Sequence, residues 1–125
     1  MPKVLIVDDD RDWVKVLGVR LKQAGFEVAA AMDAYQGVTL VHKESPDCII
    51  LDISMPAGGG MATLRNIHMT LQGQMIPVIV VSGALDAEKK EAFREAGANA
   101  FISKPCKAEE VVEAIRKALE GPDAG

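Results

Sequence analysis

The chain has 125 residues, 49% of them hydrophobic and 26% charged, which suits one domain with its own core and is too apolar for a disordered segment. A formal charge of −4 and a pI near 5.1 argue against direct nucleic-acid binding by this chain, which needs a basic patch. No run reaches the roughly 18 apolar residues of a membrane span, and the two cysteines, Cys48 and Cys106, form neither a CxxC nor a zinc spacing, as expected of a reducing cytoplasm.

Lys3 to Val7 is apolar and β-branched without alternation, the pattern of a strand covered on both faces, and it closes on Asp8, Asp9 and Asp10. A signal peptide does not end in this way, so an unprocessed chain is expected. Asp10 caps a helix whose inner face carries Trp13, Val14, Leu17 and Leu21, and Gly25 follows its end. Glu27 to Met32 is a weaker strand suited to a sheet edge. Asp33 and Gln36 form a capping box for a helix lined by Ala34, Val38 and Val41, which Ser45-Pro46-Asp47 breaks. Cys48 to Ile53 is the most apolar strand and should be central, with Cys48 as a small buried hydrophobe. A loop over 54–60 leads to a helix with Met61, Leu64, Ile67, His68 and Leu71 on one face, ended by Gly73. Ile76 to Val81 is the fourth strand, with Pro77 at its start. Asp86 caps a polar helix through Glu95, Gly97 ends it, and Ala98 to Ser103 is the fifth strand. From Lys107 a last helix turns Val111, Val112, Ile115 and Leu119 inward. Residues 1–120 form the domain, and 121–125 read as a flexible tail or the start of a linker.

Strands alternating with helices across short loops predict an α/β fold: a five-stranded parallel sheet with helices on both faces and right-handed crossovers. The edge character of the second strand and the centrality of the first and third favour the order 2-1-3-4-5. Ligands of such sheets bind outside the carboxyl ends of the strands, where the order reverses, and Asp8, Asp9 and Asp52 lie there. Two unit charges about 4 Å apart interact by about 4 kcal/mol at an effective dielectric near 20, so the cluster must take up protons or bind a cation. Hard oxygens favour Mg²⁺, or Mn²⁺ in its place. Lys104 after the fifth strand can neutralise a further anion, and the Ser82 hydroxyl after the fourth can donate a hydrogen bond. Cation, lysine and hydroxyl make a cradle for a phosphoryl group, and an aspartate can accept it.

Val7-Asp8-Asp9, then Leu51-Asp52-Ile53-Ser54-Met55-Pro56 with Gly60, then Val81-Ser82-Gly83-Ala84, then Lys104-Pro105, resemble the receiver domain of bacterial two-component response regulators. The resemblance implies a flavodoxin-like sheet and a signalling domain that catalyses only its own phosphorylation and dephosphorylation. It implies that Asp52 takes a phosphoryl group from the phosphohistidine of a sensor histidine kinase or phosphotransfer protein. Asp9, Asp52 and the backbone carbonyl of Ser54 would ligate Mg²⁺, and Asp8 would orient it. Lys104 and Ser82 would bind the phosphate, and the Lys104–Pro105 bond would be cis. Ser82 and Phe101 would switch the surface of the fourth helix, fifth strand and fifth helix toward a downstream effector or fused output domain. Phe101 has no hydroxyl, so its inward state would rest on packing alone. Ser54 and Ala84 are small and uncharged beside the route of an attacking water, which predicts slow to moderate self-dephosphorylation.

Three rivals fit less well. A Mg²⁺-dependent aspartyl-nucleophile phosphatase of the haloacid dehalogenase type needs Gly and Thr after its D-x-D, where Arg11 and Asp12 stand. A flavin binder needs a hydroxyl-rich loop where the acidic triplet would repel the FMN phosphate. A degenerate receiver acting only as an interaction module would not need all the site residues. Asp10, Asp33 and Asp86 are read as caps, His42 and His68 as surface or boundary residues, and Trp13 as partly buried near the pocket mouth.

Overall fold

The computed structural model describes residues 1–54, 59–69, 76–83 and 85–120. Readings that fall on Leu71, Gly73, Ala84 and the tail at 121–125 lie outside them. Among the described residues, strands β1 (Lys3–Val7), β2 (Glu27–Ala31), β3 (Cys48–Leu51), β4 (Val78–Ser82) and β5 (Ala100–Ser103) alternate with helices α1 (Arg11–Gln23), α2 (Ala34–Glu44), α3 (Gly59–His68), α4 (Ala87–Glu95) and α5 (Ala108–Glu120). The strands form one parallel sheet in the order β2-β1-β3-β4-β5, as expected.

Alternation along the buried strands sends side chains to two cores. Leu5, Val7, Ile49, Leu51, Val78 and Val80 meet Val41, Leu64, Ile67 and Phe93 from α2, α3 and α4. Val4, Ile6, Cys48, Ile50, Ile79 and Val81 meet Leu17, Leu21, Val111 and Ile115 from α1 and α5. Strands β3 and β4 are buried throughout and β1 from Val4 onward, whereas the edge strands β2 and β5 are only partly covered. Asp10, Asp33 and Asp86 cap their helices by accepting the backbone N–H of Trp13, Gln36 and Lys89. Gln36 does not close the expected box on the Asp33 N–H but reaches one residue further back and accepts the N–H of Met32.

Several boundaries and contacts differ from the expectation. β3 stops at Leu51 and β4 starts at Val78, because Asp52 turns into the site and Pro77 offers no N–H to the ladder. Leu119 faces out at 36% exposure, since the last turn of α5 runs past the sheet beside Met1, Pro2 and Asp47. On α2 the fully buried residues are Gly37 and Val41, with Ala34 and Val38 only partly covered. A Cβ on Gly37 would sit 3.1 Å from a Val7 methyl, so a bare backbone passes there. Gly60, expected at the end of a loop, lies in the first turn of α3, and a Cβ on it would fall 2.8 Å from the Ile53 Cα.

Gly60→Ala is therefore expected to lower stability by about 1–3 kcal/mol, because backbone must yield, as urea denaturation would register. Burial pushes the Cys48 thiol pKa up to about 12, whereas Cys106 is only half-buried. A thiol reagent at neutral pH should modify Cys106 alone until denaturant is added, which mass spectrometry reads.

Candidate functional site

The register brings the charged residues together. Val7 pairs with Leu51, and the Asp52 N–H donates to the Val7 carbonyl at 3.0 Å, so Asp8 and Asp52 leave the sheet side by side. Ser82 pairs with Ser103, and the Lys104 N–H donates to the Ser82 carbonyl at 3.0 Å. Asp8, Asp52 and Ser82 are buried, and Asp9 is exposed. One carboxylate oxygen from each of Asp8, Asp9 and Asp52 lies within 4.8 Å of the others. The Lys104 ammonium donates to Asp8 Oδ2 at 2.9 Å and lies 3.5 Å from Asp52 Oδ2.

Both strand-end aspartates are oriented in the same way. The N–H of Asp10 donates to Asp8 Oδ1 at 2.9 Å, and that of Ser54 donates to Asp52 Oδ1 at 2.9 Å. Each is an Asx turn, with the amide two residues on fixing the carboxylate. The Ser54 hydroxyl adds a second bond to Asp52 Oδ1 at 2.7 Å.

The two buried carboxyls move apart in pKa. Burial works upward on Asp52, but the Ser54 amide and hydroxyl, the Lys104 charge and the Ser82 hydroxyl together prevail and hold it below the ordinary range. Asp8 goes the other way: burial, with repulsion from Asp52, outweighs its bonds to Lys104 and Asp10. Burial also works against the Lys104 ammonium, but the hydrogen bond and charge of Asp8, then Asp52, raise its pKa. The pair differs because the lysine side chain keeps 22% of its exposure and that of Asp8 keeps 2%.

Asp8, Asp9, Asp52, Ser54, Ser82 and Lys104 thus share one edge of the sheet, as the motifs anticipate. The three hard carboxylates fit a small divalent cation by donor type and mutual distance. The Lys104–Pro105 peptide is cis. Phe101 is half-buried one strand away, with the Arg94 guanidinium 5.3 Å from its ring centre and Arg94 held by Glu91 at 3.1 Å. Sequence reasoning missed the Ser54 hydroxyl and Arg94. A serine two residues after a strand-end aspartate is an Asx-turn signal that could have found the first. Nothing in the spacing of Arg94 and Phe101 reveals the second. His68, assigned a boundary role, has its Nδ1 3.2 Å from the Ala96 carbonyl beside Gly97.

The response regulator receiver domain family matches residues 4–116. Transcriptional regulatory protein PrrA of Mycobacterium tuberculosis is 34% identical over 94% of this chain and 50% of its own length. The chain spans about half, or less, of the length of the curated relatives it matches. Chemotaxis protein CheY4 of Vibrio cholerae superposes with a TM-score of 0.89 at 28% identity, covering 94% of this chain and 98% of that one. The receiver domain of sensor histidine kinase PA1611 from Pseudomonas aeruginosa, 23% identical, shares the fold with a TM-score of 0.86 over 96% and 98% of the two chains. It was solved with a magnesium ion coordinated in its active-site cleft.

A carboxyl whose pKa rises on folding favours the fold below its unfolded pKa and loses that contribution as pH rises through the folded one. Asp8→Asn should therefore raise the melting temperature at neutral pH. The gain should shrink as pH falls toward the ordinary aspartate range, as wild-type Asp8 takes up its proton. Thermal melts of both proteins between neutral pH and about pH 4 read this directly.

Proposed function

The chain belongs to the response regulator receiver domain family, and from that premise we propose that Asp52 is the phosphoacceptor of a two-component phosphorelay. The observation that carries the reading is a buried carboxylate held ionised by Ser54, Ser82 and Lys104 beside two further carboxylates. An ionised carboxylate is the nucleophile that acyl-phosphate formation requires.

In the proposed step an Asp52 oxygen attacks the phosphorus of a phosphohistidine. The new P–O bond forms as the P–N bond breaks, and the electron pair leaves with the imidazole. Lys104, already 3.5 Å from Asp52, pairs with the transferred oxygens, and the Ser82 hydroxyl donates to them. Asp9, Asp52 and the Ser54 carbonyl, with Asp8 orienting, would hold Mg²⁺, for which Mn²⁺ can substitute. When bound, the ion supplies positive charge against the repulsion between the carboxylate and the incoming phosphoryl group.

The added phosphate draws Ser82 and Lys104 toward itself, and we infer that Phe101 and the surface of α4, β5 and α5 respond. With no hydroxyl on Phe101, the Arg94 guanidinium against its ring is the polar contact that such a movement would break. A histidine kinase or phosphotransfer protein is the proposed donor. A separate effector or an output domain in a longer chain is the proposed receiver of the signal, in the cytoplasm. No described helix is long and apolar enough to cross a membrane.

Incubated with acetyl phosphate and Mg²⁺, the wild-type chain should gain one phosphoryl mass, and a chelator should prevent it. Asp52→Asn should gain none. Incorporation by that variant, read by intact mass spectrometry, would refute the assignment.

A further inference from the structure

The lysine of the site is held from a second side. Trp13, on the first turn of α1, has its ring centre 5.9 Å from the Lys104 ammonium. The contacts close a ring. The Asp10 N–H donates to Asp8, and the Asp10 carboxylate accepts the Trp13 N–H at 3.1 Å. The Trp13 ring faces Lys104, and Lys104 donates back to Asp8 at 2.9 Å. The same two side chains line a cleft of about 370 Å³ with Asp10, Pro105 and Cys106.

Trp13 also packs partly against the core under α1 and α5, and a leucine or methionine could do that. The indole carries a cost they would not: its Nε1 is buried and finds no acceptor among the described residues. What the ring adds is a negative face toward a cation that is mostly removed from water.

We propose that Trp13 is a positioning residue for the phosphoryl-transfer site, holding the Lys104 ammonium between its ring and the carboxylates of Asp8 and Asp52. In this role it acts through the lysine alone. The proposal rests on the phosphoacceptor reading for its kinetic consequence but not for the contact itself.

Three measurements test it. The chain has a single tryptophan, so one indole N–H resonance appears in a ¹H–¹⁵N spectrum. That resonance should move in Lys104→Met and stay near its wild-type position in Lys104→Arg. An unmoved resonance in Lys104→Met overturns the proposal even if the chain accepts no phosphate. Phosphorylation by acetyl phosphate should slow about three- to fivefold in Trp13→Leu, the scale of a modest cation–π contact. Mg²⁺ affinity by calorimetry should be unchanged, and Trp13→Phe should restore much of the rate. In a Lys104→Met background Trp13→Leu should add no further loss. An equal fold-loss in that background, or weakened Mg²⁺ binding in Trp13→Leu, would mean that the ring serves only the fold.

Discussion

The Lys104 ammonium lies 2.9 Å from Asp8 and 3.5 Å from Asp52, at the carboxyl edge of a sheet whose inner strands are mostly apolar. Without that cation the two carboxylates would meet with little water to separate them, and the pair would take up a proton from solvent. With it, one carboxylate stays ionised and the other absorbs the remaining cost. The lysine comes from β5 and the aspartates from β1 and β3, so the balance exists only when the whole sheet is assembled.

Parallel pairing is what aligns these ends. Every strand presents its carboxyl end on the same edge, so a polar residue placed one step past each apolar run reaches a common cleft. Asp52 follows Leu51, Asp8 follows Val7, and Lys104 follows Ser103, with β4 between them supplying Ser82. The helix starts do related work. The Asp10 carboxylate that caps α1 belongs to a residue whose amide also aims Asp8, so one residue starts a helix and orients a buried carboxylate of the cleft. Folding and site formation share hydrogen bonds here, and neither can be altered alone.

That sharing explains what the chain discloses before it is folded. Strands with no alternation and a charge at one end were legible, because burial on both faces and a polar terminus leave a local mark. The caps at Asp10, Asp33 and Asp86 were legible because an N-cap acts on residues three positions away. Gly60 against Ile53, Leu119 past the end of the sheet and Arg94 over Phe101 were not. Each depends on how far one element overlaps another, and local periodicity does not carry that distance. The gathering of the four motif segments was expected from topology, but the pairing of Lys104 with Asp8 rather than with Asp52 alone needed side-chain positions.

The opposed pKa displacements of Asp8 and Asp52 divide labour between two residues of one type. Asp52 receives four stabilising contacts and Asp8 fewer, because Ser54 offers both an amide and a hydroxyl where Asp10 offers only an amide. The difference decides which carboxylate gives up its proton more readily. Lys104 couples them: any anion that draws the ammonium toward Asp52 takes a donor from Asp8, whose charge then becomes costlier still. A divalent cation beside the exposed Asp9 would relieve that cost. In the proposed function, phosphoryl group, lysine and metal would thus be linked by the simple scarcity of positive charge at the sheet edge.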